Sequence, residues 1–222
     1  MTEPFAPYQA LADFLLRAFD ANEAGGAHDL SHIVRVWRNA VHIARTEPEC
    51  DSEILLAAAI LHDCVAVEKN SPQRPFASRL SAARARKIVA SLQWTRARVD
   101  GLAHVIETHS FSAGLAPATP EAKIFRDADR LDAIGAIGVA RCFHVGGRMD
   151  TALYHLDDPG AEARPLDDGA YALDHFELKL FKEARAFLTP EGKRLAAVRT
   201  QRMTDFVTMF RAEIEGAEIE GE

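Results

Sequence analysis

The stretch Ile54-Leu55-Leu56-Ala57-Ala58-Ala59-Ile60-Leu61-His62-Asp63 decides how the rest of the chain is read. Its apolar run has no polar face, so it buries itself on all sides and carries its last two residues inward with it. A neighbouring imidazole and carboxylate are costly to bury without a strong partner. A divalent cation is such a partner. Two further candidate ligands flank the run: His32 upstream in HDLSHIVRVWRNA and Asp129 downstream in FRDADRLDAIGAIG. Ordered His…His-Asp…Asp, the four side chains read as a metal site assembled from three helices.

Each member alone has a plainer explanation. A single buried histidine is more often a hydrogen-bonded core residue than a ligand. Asp129 could be a surface charge paired with Arg130, and His28-Asp29 stands at a helix start where capping is the ordinary role. Together, in this order and each set among apolar helical residues, they point to a common ion. Two nitrogens and two carboxylate oxygens suit Mn, Mg, Fe, Ni, Co or Zn better than a thiolate site would. His62 and Asp63 stand about 100° apart around a helix, yet a long imidazole and a short carboxylate can still converge at a helix end.

The remainder of the chain predicts an all-α fold. Helices are expected at about 7–21 (inner stripe Leu11, Phe14, Leu15, Phe19), from Asp29 onward (Ile33, Val36, Trp37, Ala40, Ile43), at 51–62, 76–92 and 95–109. Further helices are expected from Thr119-Pro120-Glu121, at 171–188, and at 190–214 after Thr189-Pro190. Residues 64–75 and 146–169 read as loops, and Gly135 and Gly138 as an interruption or a tight packing point. At 222 residues one domain, 1–222, is the simplest organisation.

Composition narrows the function classes. Three widely spaced cysteines with no C-x-x-C pair suit a reducing cytosol and exclude a disulfide framework. No apolar run approaches the roughly 18 residues of a membrane span, and no secretory leader is recognisable, so a cytoplasmic location is expected. A net charge of -7 speaks against duplex nucleic acid as a partner. The charge is uneven, however. Lys69 to Val99 contains Lys69, Arg74, Arg79, Arg84, Arg86, Lys87, Arg96 and Arg98 and no acidic residue, while the last ten residues carry five glutamates and read as a frayed, solvated tail.

The basic stretch follows directly on His62-Asp63, where an anionic substrate would arrive. No glycine-rich phosphate cradle is present, so side-chain cations must hold such a substrate. Lys69 and Arg74 stand closest in sequence. Arg79, Arg84, Arg86 and Lys87 read as an exposed, steering helix face.

The set His32, His62-Asp63 and Asp129 resembles the HD superfamily of metal-dependent phosphohydrolases, and more closely the bacterial stand-alone hydrolases of the YedJ-like type. The shared segments are HDxxHxxRV (His28 to Val36), LHD with its K-N-x-P-x-R loop (Leu61 to Arg74), IxxHSFS (Ile106 to Ser112), DADRLxAxGAIG (Asp127 to Gly138) and RPLDDxxYALDHFxxKL (Arg164 to Leu180). The likeness spans roughly residues 20 to 210.

The resemblance implies an all-helical fold with one metal held by His32, His62, Asp63 and Asp129. It also implies hydrolysis of a phosphate ester or anhydride, a nucleotide foremost, by metal-bound hydroxide, with His62 and Asp63 catalytic. His109, His175 and Lys179 join Lys69 and Arg74 as implied substrate contacts; His109 is preferred there over a second metal. A homodimer is compatible with this reading. Two rivals from other classes remain: a nucleotide-binding regulatory module without catalysis, and a diiron oxygenase on the same scaffold.

Overall fold

The computed structural model describes residues 3–18, 30–47, 49–67, 71–110 and 113–217. Every regular element among them is helical, and the only strand-like pairing is one bridge between Ala152 and Tyr171. In chain order the helices are α1 (Gln9–Arg17), α2 (Leu30–Ala44), α3 (Ser52–Leu61), α4 (Ala77–Val89), α5 (Arg96–His109), α6 (Pro120–Leu131), α7 (Gly135–Arg148), α8 (Phe181–Glu183) and α9 (Pro190–Ile214). None is long and apolar enough to cross a membrane.

The chain divides into two compact units, Met1–Asp129 and Arg130–Glu222, with the boundary in the last turn of α6. In the first, α3 is the centre. Ile54 to Leu61 are all buried, as a helix apolar on every side must be. Helices α1, α2 and α5 pack around it, and α4 packs on α5. The inward stripe of α2 is the one its periodicity predicts, Ile33, Val36, Trp37, Ala40 and Ile43, with His32 in line. In α1, Leu15 is buried and Leu11 and Phe14 are half-buried; Phe19 lies outside the described residues. Starts follow local chemistry: Asp51 accepts from the amides of Glu53 and Ile54, Thr95 from Arg98 and Thr119 from Ala122.

In the second unit α7 packs on α9 around a phenylalanine cluster, in which Phe176 stacks on Phe206 with ring centroids 5.7 Å apart and Phe143 on Phe210 at 5.8 Å. Thr189 caps α9 through the Gly192 amide, with Pro190 in the first turn, as the sequence predicts.

Three expectations need correction. The helix predicted over 171–188 is shorter, 174–183, and widens into a π-helical stretch at Phe176–Leu180 before the single turn of α8. At its start Asp174 is buried and held by two guanidinium nitrogens of Arg164 and by the Asp167 amide. The loop predicted from Gly146 begins only at Met149, because α7 runs through Gly146, which packs on Ala172. Glu213 and Ile214 are not frayed but finish α9, and 218–222 lie outside the described residues.

Gly138 is a packing point. A Cβ there would sit 2.4 Å from the Ala133 carbonyl oxygen, a backbone atom that cannot swing away. Gly138→Ala is therefore expected to destabilise the protein by about 1–3 kcal/mol. The midpoint of chemical denaturation measures this, and a wild-type midpoint would contradict the packing described.

Candidate metal centre

Five side chains converge in the first unit, each delivered by the end of a helix. His32 is in the first turn of α2, His62 caps the C-terminus of α3, and Asp63 follows it. His109 is the last residue of α5, and Asp129 lies in the last turn of α6. Three helices thus direct their C-terminal ends, the negative ends of their dipoles, toward one place, which favours a cation there.

His32 and His62 are 1% and 2% exposed, so both are desolvated. The Nε2 atoms of the two are 3.3 Å apart, and Asp129 Oδ1 lies 3.6 Å from His32 Nε2 and 3.9 Å from His62 Nε2. The point equidistant from these three atoms is about 2.1 Å from each, which is a metal–ligand bond length for nitrogen and carboxylate donors. A second triad shares His62: Asp63 Oδ2 is 3.6 Å from His62 Nε2, and Asp63 Oδ1 is 3.8 Å from His109 Nε2. The carboxylates are the more open part, Asp129 at 26% and Asp63 at 36% exposure.

Hydrogen bonding sets the tautomers. His62 Nδ1 lies 3.1 Å from the Ala59 carbonyl and His109 Nδ1 2.6 Å from that of Ile106. A carbonyl oxygen can only accept, so each Nδ1 carries a proton, and in the neutral ring Nε2 is the free lone pair. In that state imidazole and carboxylate lone pairs face one another at 3.6–3.9 Å, too far for hydrogen bonds, while the Nε2 atoms of His32 and His62 stand at hydrogen-bond distance, 3.3 Å. The donor set fits a divalent cation. Burial raises the Asp129 carboxyl, but attraction to protonated His62, His32 and His109 carries it below the ordinary carboxylate range; the His109 imidazole is pushed down by burial first and then by repulsion from a protonated His62.

The surroundings hold these groups in place. Phe125 packs its ring against both His62 and His109, at centroid distances of 5.5 and 6.2 Å. Asn39 donates to the Ala128 carbonyl at 3.0 Å, tying α2 to α6 beside Asp129. Arg84 is not part of an exposed face; its Nη1 donates to the Cys64 carbonyl at 2.6 Å and its Nη2 to Ala18, pinning the backbone just after Asp63. Cys64 itself is buried, its thiol pushed up to about 11 by desolvation, so it supplies no thiolate at neutral pH.

Of the predicted substrate contacts, Lys69 lies outside the described residues. Arg74 is exposed and donates to the Val67 carbonyl at 2.9 Å. Within the basic stretch, Arg86, from the predicted exposed face, and Arg96 meet Asp100, and Arg98 meets Asp51 and Glu53. In the second unit His175 and Lys179 meet on a residue that the sequence does not single out, Asp168. His175 Nδ1 and Lys179 Nζ both reach Asp168 Oδ2, at 2.9 and 2.7 Å, and Lys179 remains 60% exposed. Lys179 foremost, then His175, holds the Asp168 carboxyl below its ordinary range. The adjacent Asp167-Asp168 pair was the available signal.

These features define the class. Residues 29–134 match the HD domain, and the chain belongs to the HD-domain superfamily, in its YpgQ-like group. It is 32% identical to YpgQ of Bacillus subtilis over 203 residues, 90% of each chain. The crystal structure of B. subtilis YpgQ in complex with ADP superposes with a TM-score of 0.67 at 27% identity, covering 95% of this chain and 98% of that one. An HD-superfamily hydrolase from Bacillus thuringiensis gives 0.71 at 28% identity, covering 93% and 96%.

Adding Mn or Co at about 100 times its dissociation constant is expected to stabilise the protein by about 2.7 kcal/mol, a rise of roughly 5–10 °C in melting temperature. The gain should shrink as pH falls through the imidazole range, because protons compete for Nε2. Differential scanning fluorimetry reads both effects. A rise that persists in His62→Ala would place the ion elsewhere.

Proposed function

We propose that this chain is a metal-dependent phosphohydrolase of the YedJ-like kind, acting on an ester or anhydride of a small phosphorylated metabolite, a nucleotide foremost. The observation that carries this reading is the convergence of three imidazoles and two carboxylates, whose facing ring nitrogens and carboxylate oxygens lie 3.3–3.9 Å apart. The ADP in the crystal structure of YpgQ supports the nucleotide preference.

His32, His62, Asp63 and Asp129 would hold the ion, with His109 adjoining. When bound, a divalent cation neutralises charge on a phosphoryl oxygen and acidifies a water. Asp63, the most open of the carboxylates, would orient the attacking water and accept its proton at Oδ1 or Oδ2. His62, locked through Nδ1, presents Nε2 without any rearrangement. Phe125 excludes water from behind the imidazoles. Arg74 is the described cation nearest in sequence to Asp63 and is proposed with Lys69 as a phosphate contact; His109, His175 and Lys179 are proposed likewise, the last two on the resemblance alone.

A single ion is favoured over two. Both triads draw on His62, whose Nδ1 is engaged by Ala59, and one remaining lone pair serves one ion. This argues against the diiron rival.

The test is a screen of purified protein against nucleoside di- and triphosphates and phosphomonoesters, with Mn, Mg, Ni and Co supplied in turn. Release of phosphate or pyrophosphate should depend on metal and fall by at least about 10³-fold in Asp63→Ala, since losing a group on the reacting water removes several kcal/mol of transition-state stabilisation. Equal traces from wild type and from His62→Ala and Asp63→Ala would refute hydrolysis.

A further inference from the structure

Three of the helices that supply the centre are also fastened at their other ends, and to the same side chain cluster. Asp51 caps α3, Arg98 lies in the first turn of α5, and Glu121 in the first turn of α6. Arg98 grips Asp51 with two parallel bonds, Nε to Oδ2 and Nη2 to Oδ1, each 2.7 Å. Its Nη1 reaches Glu53 Oε2 at 2.9 Å, and its guanidinium lies over the Trp94 ring at 4.4 Å. Glu121 Oε1 accepts from the Asp51 backbone amide at 3.0 Å.

From this cluster the helices run toward the ligands with matched spacing in sequence. Eleven residues separate Asp51 from His62 and Arg98 from His109, and eight separate Glu121 from Asp129. At 1.5 Å per residue these are rises of about 16, 16 and 12 Å. The three struts are thus fixed at one end by charge and expected to deliver three ligand-bearing termini at the other. A helix that slides or turns at its start displaces its last residue by the same amount, and ligand sets tolerate only a few tenths of an ångström.

We infer that Arg98, with Asp51 and Glu121, is a positioning device for the metal centre: it sets the register of α3, α5 and α6 so that His62, Asp63, His109 and Asp129 meet. This rests on the metal reading given above. Arg98 touches no ligand, so it is a positioning residue and not a catalytic one. The planar guanidinium is needed because it makes the paired bonds to Asp51, the bond to Glu53 and the stack on Trp94 at once; a lysine has one nitrogen for all of them.

The test is a cobalt titration followed by visible absorption, with melting temperature and helical circular dichroism measured on the same samples. Arg98→Gln and Arg98→Lys should keep the helical signal yet bind Co about tenfold more weakly, the scale seen when groups that orient ligands are lost. The d–d bands should shift as well. Val89→Ala, a core truncation on α4, which supplies no ligand, should lower the melting temperature while leaving Co affinity and spectrum unchanged. Should Arg98→Gln fail to fold, Glu121→Gln removes one charge from the same cluster and is expected to weaken Co binding in the same direction. Wild-type affinity and bands in the folded Arg98 variant, or in Glu121→Gln when that is the one tested, would overturn the inference while leaving the metal centre intact. Absence of Co binding by the wild-type protein would overturn both.

Discussion

The constraint on which the first unit depends is the crowding of three imidazoles and two carboxylates at the inner end of α3. The helix is apolar on every face, so it can only be a core element, and its burial draws His62 out of water. The Ala59 carbonyl accepts the Nδ1 proton of His62, so in the neutral ring Nε2 is an acceptor that meets His32 Nε2 at 3.3 Å and the Asp63 and Asp129 carboxylates at 3.6 and 3.9 Å. Such an arrangement is unfavourable in an empty low-dielectric pocket and favourable around a divalent cation, so local structure, energetics and chemistry point the same way.

Much of this was legible in the sequence because it depends on order and periodicity. The stripe of α2 carries His32 inward, Asp51 and Thr119-Pro120 mark the starts of α3 and α6, and helical spacing then carries His62 and Asp129 to helix ends. The resemblance to the HD superfamily drew on the same residues, and family membership follows from the match over 29–134 and from the relationship to YpgQ. His109 was legible as a candidate site residue; that its Nε2 would face Asp63 was not, since pattern gives no distance between α5 and the turn after α3.

What escaped the sequence is what depends on pairing between distant charges. Arg84, Arg86, Arg96 and Arg98 look alike in a basic run. In the structure the first pins the backbone after Asp63, the next two share Asp100, and the last joins two carboxylates and an indole. The Asp167-Asp168 pair marks an acidic spot without showing which of the two meets His175 and Lys179, and apolar spacing does not distinguish the π-helical stretch at Phe176–Leu180 from an ordinary helix. Arg164 grips Asp174 at its start, and Phe176 stacks on Phe206 within it.

The central claim concerns where an ion sits, and crystallography at the Mn absorption edge addresses that directly. Crystals soaked in Mn should give one anomalous peak in the first unit, at about 2.0–2.3 Å from the Nε2 atoms of His32 and His62 and from a carboxylate oxygen of Asp129, with Asp63 completing the set. A map with no peak between those side chains, or with Asp129 turned away from the ion, would contradict the account.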